Sequence, residues 1–164
     1  MKKLEDKIYE LLLKKNYKIA TAESCTGGLL ASTIINVPGA SNIIEMSFVT
    51  YSNEAKEKLV NVSREAIKRF GVVSEKVAQE MAKGAMEKAK ANVGLSTTGL
   101  AGPKGDGKLP VGTVCFGICI NDKTYTYTNV FKNISRSYIR KSSVKFILKK
   151  LLLLLEESKW EYVI

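Results

Sequence analysis

No histidine occurs among the 164 residues. That absence excludes Ser-His-Asp and Cys-His catalysis, histidine-ligated metals and a histidine pH switch, so proton transfer falls to Lys, Tyr, Asp, Glu or Cys. Cysteine is scarce too. Cys25, Cys115 and Cys119 are an odd number in no zinc-like spacing, and Cys115 and Cys119 would share one face of a strand rather than cross-link two elements. All three are expected to be reduced thiols, and neither a metal nor an organic cofactor is expected. The longest unbroken aliphatic run, residues 151–155, is far too short for a membrane span. The opening stretch MKKLEDKIYELLLKK carries charge inside its apolar part and no small-residue cleavage site, unlike a signal peptide. A cytoplasmic protein with no membrane partner is the resulting expectation.

What is present suits one core. With 45% hydrophobic side chains in 164 residues, a single domain over residues 1–164 is predicted. The formal charge of +10, from 26 Lys and Arg against 16 Asp and Glu, favours anionic ligands, of which nucleic acid is only one.

Leu4, Ile8, Leu11 and Leu12 recur at helical spacing, so the first fifteen residues or so read as an amphipathic helix. A strand at about residues 18–22 follows, then Ser24, then Gly27 and Gly28 leading into a helix that Pro38-Gly39 ends. Residues 43–51 read as a strand, with Asn53 capping a short helix that carries Lys56. Ser63 and Ser74 look like helix caps, the second opening a long helix over about residues 75–91 with Val77, Met81 and Ala85 inward. A strand at 93–98 runs into the glycine-rich loop GLAGPKGDGKLP at 99–110, and strands at 111–120 and 123–131 form a hairpin about Asn121-Asp122. A last helix runs from about Ser135 into the leucine run. Strands alternating with helices and closing on a hairpin predict an α/β fold, a three-layer α/β/α sandwich with a mixed sheet.

Ser24 sits where a strand end and a glycine pair would let backbone N–H groups approach a ligand, a setting for a nucleophile facing an oxyanion hole. The same position suits a plain helix cap, for Ser24 or for Thr26. Cys25 is the rival nucleophile, since a thiol at a helix start can ionise more easily, or else a small packed residue. Lys56 lies in a charged helix and is either solvated or, in a chain without histidine, the base. An unperturbed lysine near pKa 10.4 has only about one molecule in a few thousand neutral at pH 7, so a basic role requires burial or a cationic neighbour. The segment GPKGDGK at 102–108 is close to a phosphate-binding P-loop, but Leu109 replaces the magnesium-holding Ser or Thr and a strand follows instead of a helix. Arg136 and Arg140 share one helix face, placed either to grip a phosphate or to be solvated. With Lys132, Lys141, Lys145, Lys149 and Lys150 they form the stripe that makes a nucleic-acid-binding module the rival function, although no aromatic platforms interleave it.

Six blocks occur in order: TAESCTGGLLAS at 21–32, VPGAS at 37–41, FVTYSNEAK at 48–56, GVVSE at 71–75, TTGLAGP at 97–103 and PVGTV at 110–114. Together they resemble the C-terminal domain of the CinA competence-damage family, whose stand-alone members are nicotinamide mononucleotide deamidases. The resemblance covers nearly all of the chain. It implies hydrolysis of nicotinamide mononucleotide to nicotinate mononucleotide and ammonia in pyridine nucleotide recycling, with Ser24 as nucleophile assisted by Tyr51 and Lys56. It also implies a ligand site lined by Thr26, Gly27, Gly28, Thr98, Gly99 and Gly102, with Arg136 and Arg140 near the phosphate. Backbone N–H groups of residues 26–28 are the expected oxyanion donors. Larger family members carry an additional N-terminal pyrophosphatase-like domain, for which these 164 residues leave no room. Two positions depart from the family pattern: Leu109 stands where a Lys usually precedes the Pro of PVGTV, and Ser135-Arg136 replaces Gly-Asp-Arg. The expected partners are the mononucleotide and further copies of the chain in a homo-oligomer.

Overall fold

The structure, a computed structural model, describes residues 2–157; residue 1 and residues 158–164 of the predicted domain lie outside the described part. The elements follow as α1 (Leu4–Lys15), β1 (Ile19–Glu23), α2 (Leu29–Ile35), β2 (Phe48–Val49), α3 (Asn53–Val60), α4 (Arg64–Phe70), α5 (Glu75–Lys88), β3 (Val93–Gly99), β4 (Thr113–Ile120), β5 (Lys123–Val130) and α6 (Arg136–Glu157). One five-stranded sheet runs in the order β2-β1-β3-β4-β5. The first three strands are parallel, and β4 and β5 are antiparallel to their neighbours. This is the mixed sheet the alternation of elements predicts.

Helices cover both faces, which is why β1 is buried at every residue. On one face α1, α2 and α6 supply Ile8, Leu12, Leu30, Ile34, Ile139 and Ile147 to a core shared with Ile19, Leu95, Phe116 and Ile118. On the other, Val60, Ala66, Val77, Met81 and Ala85 of α3, α4 and α5 pack on Ala20 and Ala22. Helix α5 lies so close to the sheet that a Cβ on Gly94 would stand 2.1 Å from the Ala82 carbonyl oxygen and one on Gly117 2.3 Å from that of Ala78. Any side chain at either glycine would push the layers apart.

Local chemistry sets the boundaries. Ser63 and Ser74 cap α4 and α5 through their hydroxyls, as expected, and α5 ends at Lys88 rather than near residue 91. At α3 the cap is Ser52, whose Oγ accepts the Ala55 amide at 3.0 Å, so Asn53 is the first helical residue instead. The strand expected over residues 43–51 shrinks to two residues. An isolated bridge joins Ile44 to Ile19, but the register from there to Phe48 opposite Ala22 slips by one residue. The Ser47 hydroxyl accepts the Thr21 amide where a backbone carbonyl would otherwise continue the ladder. The hairpin turn holds, with Asn121 at φ 52 and Ile120 opposite Lys123. No described helix is long and apolar enough to cross a membrane.

Candidate active site

The site forms at the C-terminal ends of the parallel strands, where β1, β2 and β3 deliver their following loops to one place. Such strand ends are where open α/β sheets bind ligands. Ser24 follows β1, its amide donating to the Thr97 carbonyl at 2.9 Å. From α3, Lys56 turns back toward it: Nζ lies 3.2 Å from Ser24 Oγ and donates to the Thr50 carbonyl at 2.8 Å.

Neither Ser24 nor Thr26 caps α2. Its start is Gly28 at φ 95, with no capping side chain at that position. The donors there are taken by Glu23, which is 1% exposed. Its two carboxylate oxygens accept the amides of Gly28, Leu30 and Ala31 and the hydroxyls of Thr21 and Thr26. A carboxylate at a helix N-terminus meets both the unsatisfied N–H groups and the positive end of the dipole. Glu23 thereby does the capping that sequence alone assigns to Ser24 or Thr26, and the serine hydroxyl is left to Lys56.

Lys56 is 1% exposed and ranks among the largest fully buried side chains of the fold. Burial penalises its ammonium form and lowers the pKa from 10.5 to about 8, the nearby Cys25 acting weakly in the opposite sense. A neutral amine within hydrogen-bond distance of a serine hydroxyl can accept its proton while still donating to Thr50. Beside it, Thr50 Oγ1 is a buried side-chain oxygen with no hydrogen-bond partner among the described residues.

The depressed pKa has a consequence for stability. Between about pH 8 and pH 10.5 the unfolded chain holds a proton that the folded chain lacks, so the contribution of Lys56 rises with pH across that window and its penalty is complete below it. At about 1.4 kcal/mol per unit, the penalty is about 3 kcal/mol. Lys56→Met should remove it. Denaturant unfolding of variant and wild type should show the variant's relative stability falling by about 3 kcal/mol from pH 7 to pH 10.5. A pH-independent difference would mean that Lys56 is folded with an ordinary pKa.

Cys25 is buried, and desolvation pushes its thiol up to about 12, which removes the thiolate that a nucleophile needs. Cys115 and Cys119 are buried free thiols on one face of β4, also raised by burial.

The remaining predicted residues divide. Tyr51 is exposed, and its hydroxyl accepts from Arg136 Nη2 at 2.8 Å; the structure shows no bond from it to Ser24 or Lys56. Arg136 also donates to the Gly102 carbonyl at 2.7 Å, so it links the rim at Tyr51 to the glycine-rich loop. Arg140 donates from Nε to the Cys25 carbonyl at 3.1 Å and from Nη2 to the Thr26 carbonyl at 2.8 Å. Thr98 is not brought to the site. Its hydroxyl donates to the Val72 carbonyl at 2.8 Å, whereas Thr97, one residue earlier and on the opposite face of β3, meets the Thr26 hydroxyl at 2.7 Å. Gly99 is held by packing, since a Cβ there would come 2.7 Å from the Thr113 carbonyl oxygen. The amides of Gly27 and Gly28 are engaged by the Ser24 carbonyl and Glu23, which takes two expected oxyanion donors out of play. The amides of Cys25 and Thr26 donate to no carbonyl or side-chain oxygen among the described residues.

Glu23, Thr97 and Thr50 thus escape the sequence reading. One signal for Glu23 was available: it is the lone acidic residue at the end of an otherwise uncharged strand, IATAE. Among the described residues no cluster of His, Cys, Asp or Glu could hold a metal.

The CinA C-terminal domain model matches residues 1–155. A competence-damage inducible protein of Clostridioides difficile (strain 630) is 48% identical over 155 residues, 94% of this chain and 37% of the relative. A CinA-like protein of Fervidobacterium nodosum is 46% identical over 147 residues, 87% of this chain and 35% of the relative. The chain therefore spans about a third of the length of these curated relatives. The crystal structure of a competence-damaged protein (CinA) superfamily protein from Enterobacter cloacae superposes with a TM-score of 0.90 at 33% identity, covering 93% of this chain and 90% of that one. With the family model matching residues 1–155 and relatives 48% and 46% identical over most of its length, the chain belongs to the CinA C-terminal domain family.

Proposed function

We propose that this protein is an amidohydrolase that converts nicotinamide mononucleotide and water to nicotinate mononucleotide and ammonia. The observation that carries the reading is the pair of Ser24 Oγ and the buried Lys56 Nζ, 3.2 Å apart in a chain with no histidine. Neutral Lys56 takes the serine proton as Oγ attacks the carboxamide carbon, and the C–N bond breaks as Lys56 returns the proton to the departing ammonia. Water then attacks the acyl-enzyme, its proton passes to Lys56 and on to Ser24 Oγ as the acyl C–O bond breaks, and the released acid ionises to the carboxylate. The free amides of Cys25 and Thr26 are suited to hold the oxyanion that forms twice along this path.

Tyr51 and Arg136 belong to the rim of this site rather than to its proton path. Arg136 spends two donors on Tyr51 and Gly102 and stays exposed, with further N–H groups left for an anion. Arg136→Ala should raise KM for the mononucleotide about ten- to a hundredfold, the scale of one charge-assisted bond, and leave KM for the phosphate-free riboside little changed. Equal damage to both substrates, measured by steady-state kinetics, would make Arg136 a structural latch.

The direct test of the function is chromatography of nicotinamide mononucleotide incubated with the purified protein. Nicotinate mononucleotide should accumulate. Persistence of the substrate, with salt-dependent retention of mixed-sequence DNA by the same preparation, would favour the nucleic-acid-binding reading instead.

A further inference from the structure

We infer that Arg140 is a positioning residue that locks the peptide between Cys25 and Thr26, aiming the Thr26 N–H at the oxyanion, rather than a ligand for the substrate's phosphate. The inference rests on the amidohydrolase reading above and concerns how its oxyanion site is built.

The turn that carries the nucleophile is closed by the Gly27 amide donating to the Ser24 carbonyl at 3.1 Å. The peptide between Cys25 and Thr26 is the central unit of that turn. Such a unit is the part of a β-turn that can rotate, since types I and II differ chiefly in its orientation. In a trans peptide the C=O and N–H point in opposite directions. Rotation would therefore put a carbonyl oxygen where an oxyanion needs a donor.

Arg140 opposes that rotation. Its Nε donates to the Cys25 carbonyl at 3.1 Å and its Nη2 to the Thr26 carbonyl at 2.8 Å, so one edge of the planar guanidinium is spent on two successive carbonyls. The Cys25 carbonyl faces α6, and the Thr26 N–H consequently faces away from it. That N–H is one of the two amides after Ser24 that donate to no other oxygen among the described residues. Charge-assisted bonds to both carbonyls also polarise the amides that share those peptide units, which strengthens the donor. Arg140 is itself half-buried, and the next inward residue on its helix, Ile139, is fully buried, so the fork is set on a fixed base. With the Nε–Nη2 edge committed to the backbone, only the Nη1–Nη2 end of Arg140 is left for any anion.

The test compares Arg140→Met and Arg140→Lys with wild type on nicotinamide mononucleotide and on its phosphate-free riboside. Losing one oxyanion donor costs roughly a hundred- to a thousandfold in kcat, and a donor left in place but unlocked should cost roughly ten- to a hundredfold. That fall in kcat should be the same for both substrates, with KM little changed. Lysine keeps the charge but lacks the rigid planar fork that fixes two carbonyls at once, so Arg140→Lys should match Arg140→Met within a few fold. A rise in KM confined to the mononucleotide, or full recovery of kcat by lysine, would overturn the proposal. If Arg140→Met does not fold by circular dichroism, Arg140→Lys carries the same comparison. Should the wild type release no ammonia, the amidohydrolase reading fails on its own, and the lock is read from nitrogen-15 spectra. There the Thr26 amide should shift or broaden in Arg140→Met while α5 amides keep their positions, and an unchanged Thr26 resonance would overturn the lock.

Discussion

Ser24→Ala is expected to fold as the wild type does and to lose at least about a thousandfold in turnover, the scale on which a nucleophilic unit contributes. The fold should survive because Ser24 contributes little to the architecture: Glu23 caps α2 and the Ser24 backbone, not its hydroxyl, ties β1 to β3. The neighbouring thiol supplies the control. Cys25 is buried with its ionisation suppressed, so Cys25→Ala should keep most of the activity. Steady-state ammonia release by the two variants separates the candidates, and a dead Cys25→Ala with a healthy fold would transfer the nucleophile to the thiol.

Lys56 carries the second large effect. Its pKa of about 8 places the rising limb of kcat/KM near pH 8, because only the neutral amine accepts the serine proton. Below that value activity should fall about tenfold per pH unit; above it the profile should level off. Lys56→Ala should lose the limb together with most of the activity. Lys56→Arg should be as damaging, since a guanidinium has no accessible neutral form. Retention of near-normal turnover by Lys56→Arg would mean that position 56 supplies only positive charge and that another group is the base. The burial that makes Lys56 a base at moderate pH is the same burial that costs the fold stability there, so rate and stability should move oppositely in Lys56→Met.

Much of this architecture is legible in the residues because local and global signals agree. Helical spacing in α1 and α5, serine caps at Ser63 and Ser74, and the Asn121-Asp122 turn each act over a few residues and match the final packing. What escaped depends on partners distant in sequence or on a parity of one residue. Thr97 and Thr98 are equally polar, and only the register of β3 decides that Thr97 faces Thr26 while Thr98 bonds Val72. Glu23 reads locally as a polar strand end, and its role exists only because α2 begins directly over it. Tyr51 lies in the same block as Lys56, yet α3 turns the lysine inward while Tyr51, before the cap, stays on the rim. The strand at 43–51 fails for a related reason: Ser47 offers a hydroxyl in place of the ladder, which β-propensity does not register.

The histidine-free composition is the link between sequence and chemistry. It directs attention to a lysine that composition alone would leave in solvent, and the fold then supplies the burial that such a role requires. The most direct measurement of the account is ammonia release from nicotinamide mononucleotide by wild type, Ser24→Ala and Lys56→Arg side by side. The wild type should release ammonia equal in amount to nicotinate mononucleotide, and either variant at least about a thousandfold less; no ammonia from the wild type, or comparable release from Ser24→Ala, would contradict the serine–lysine mechanism.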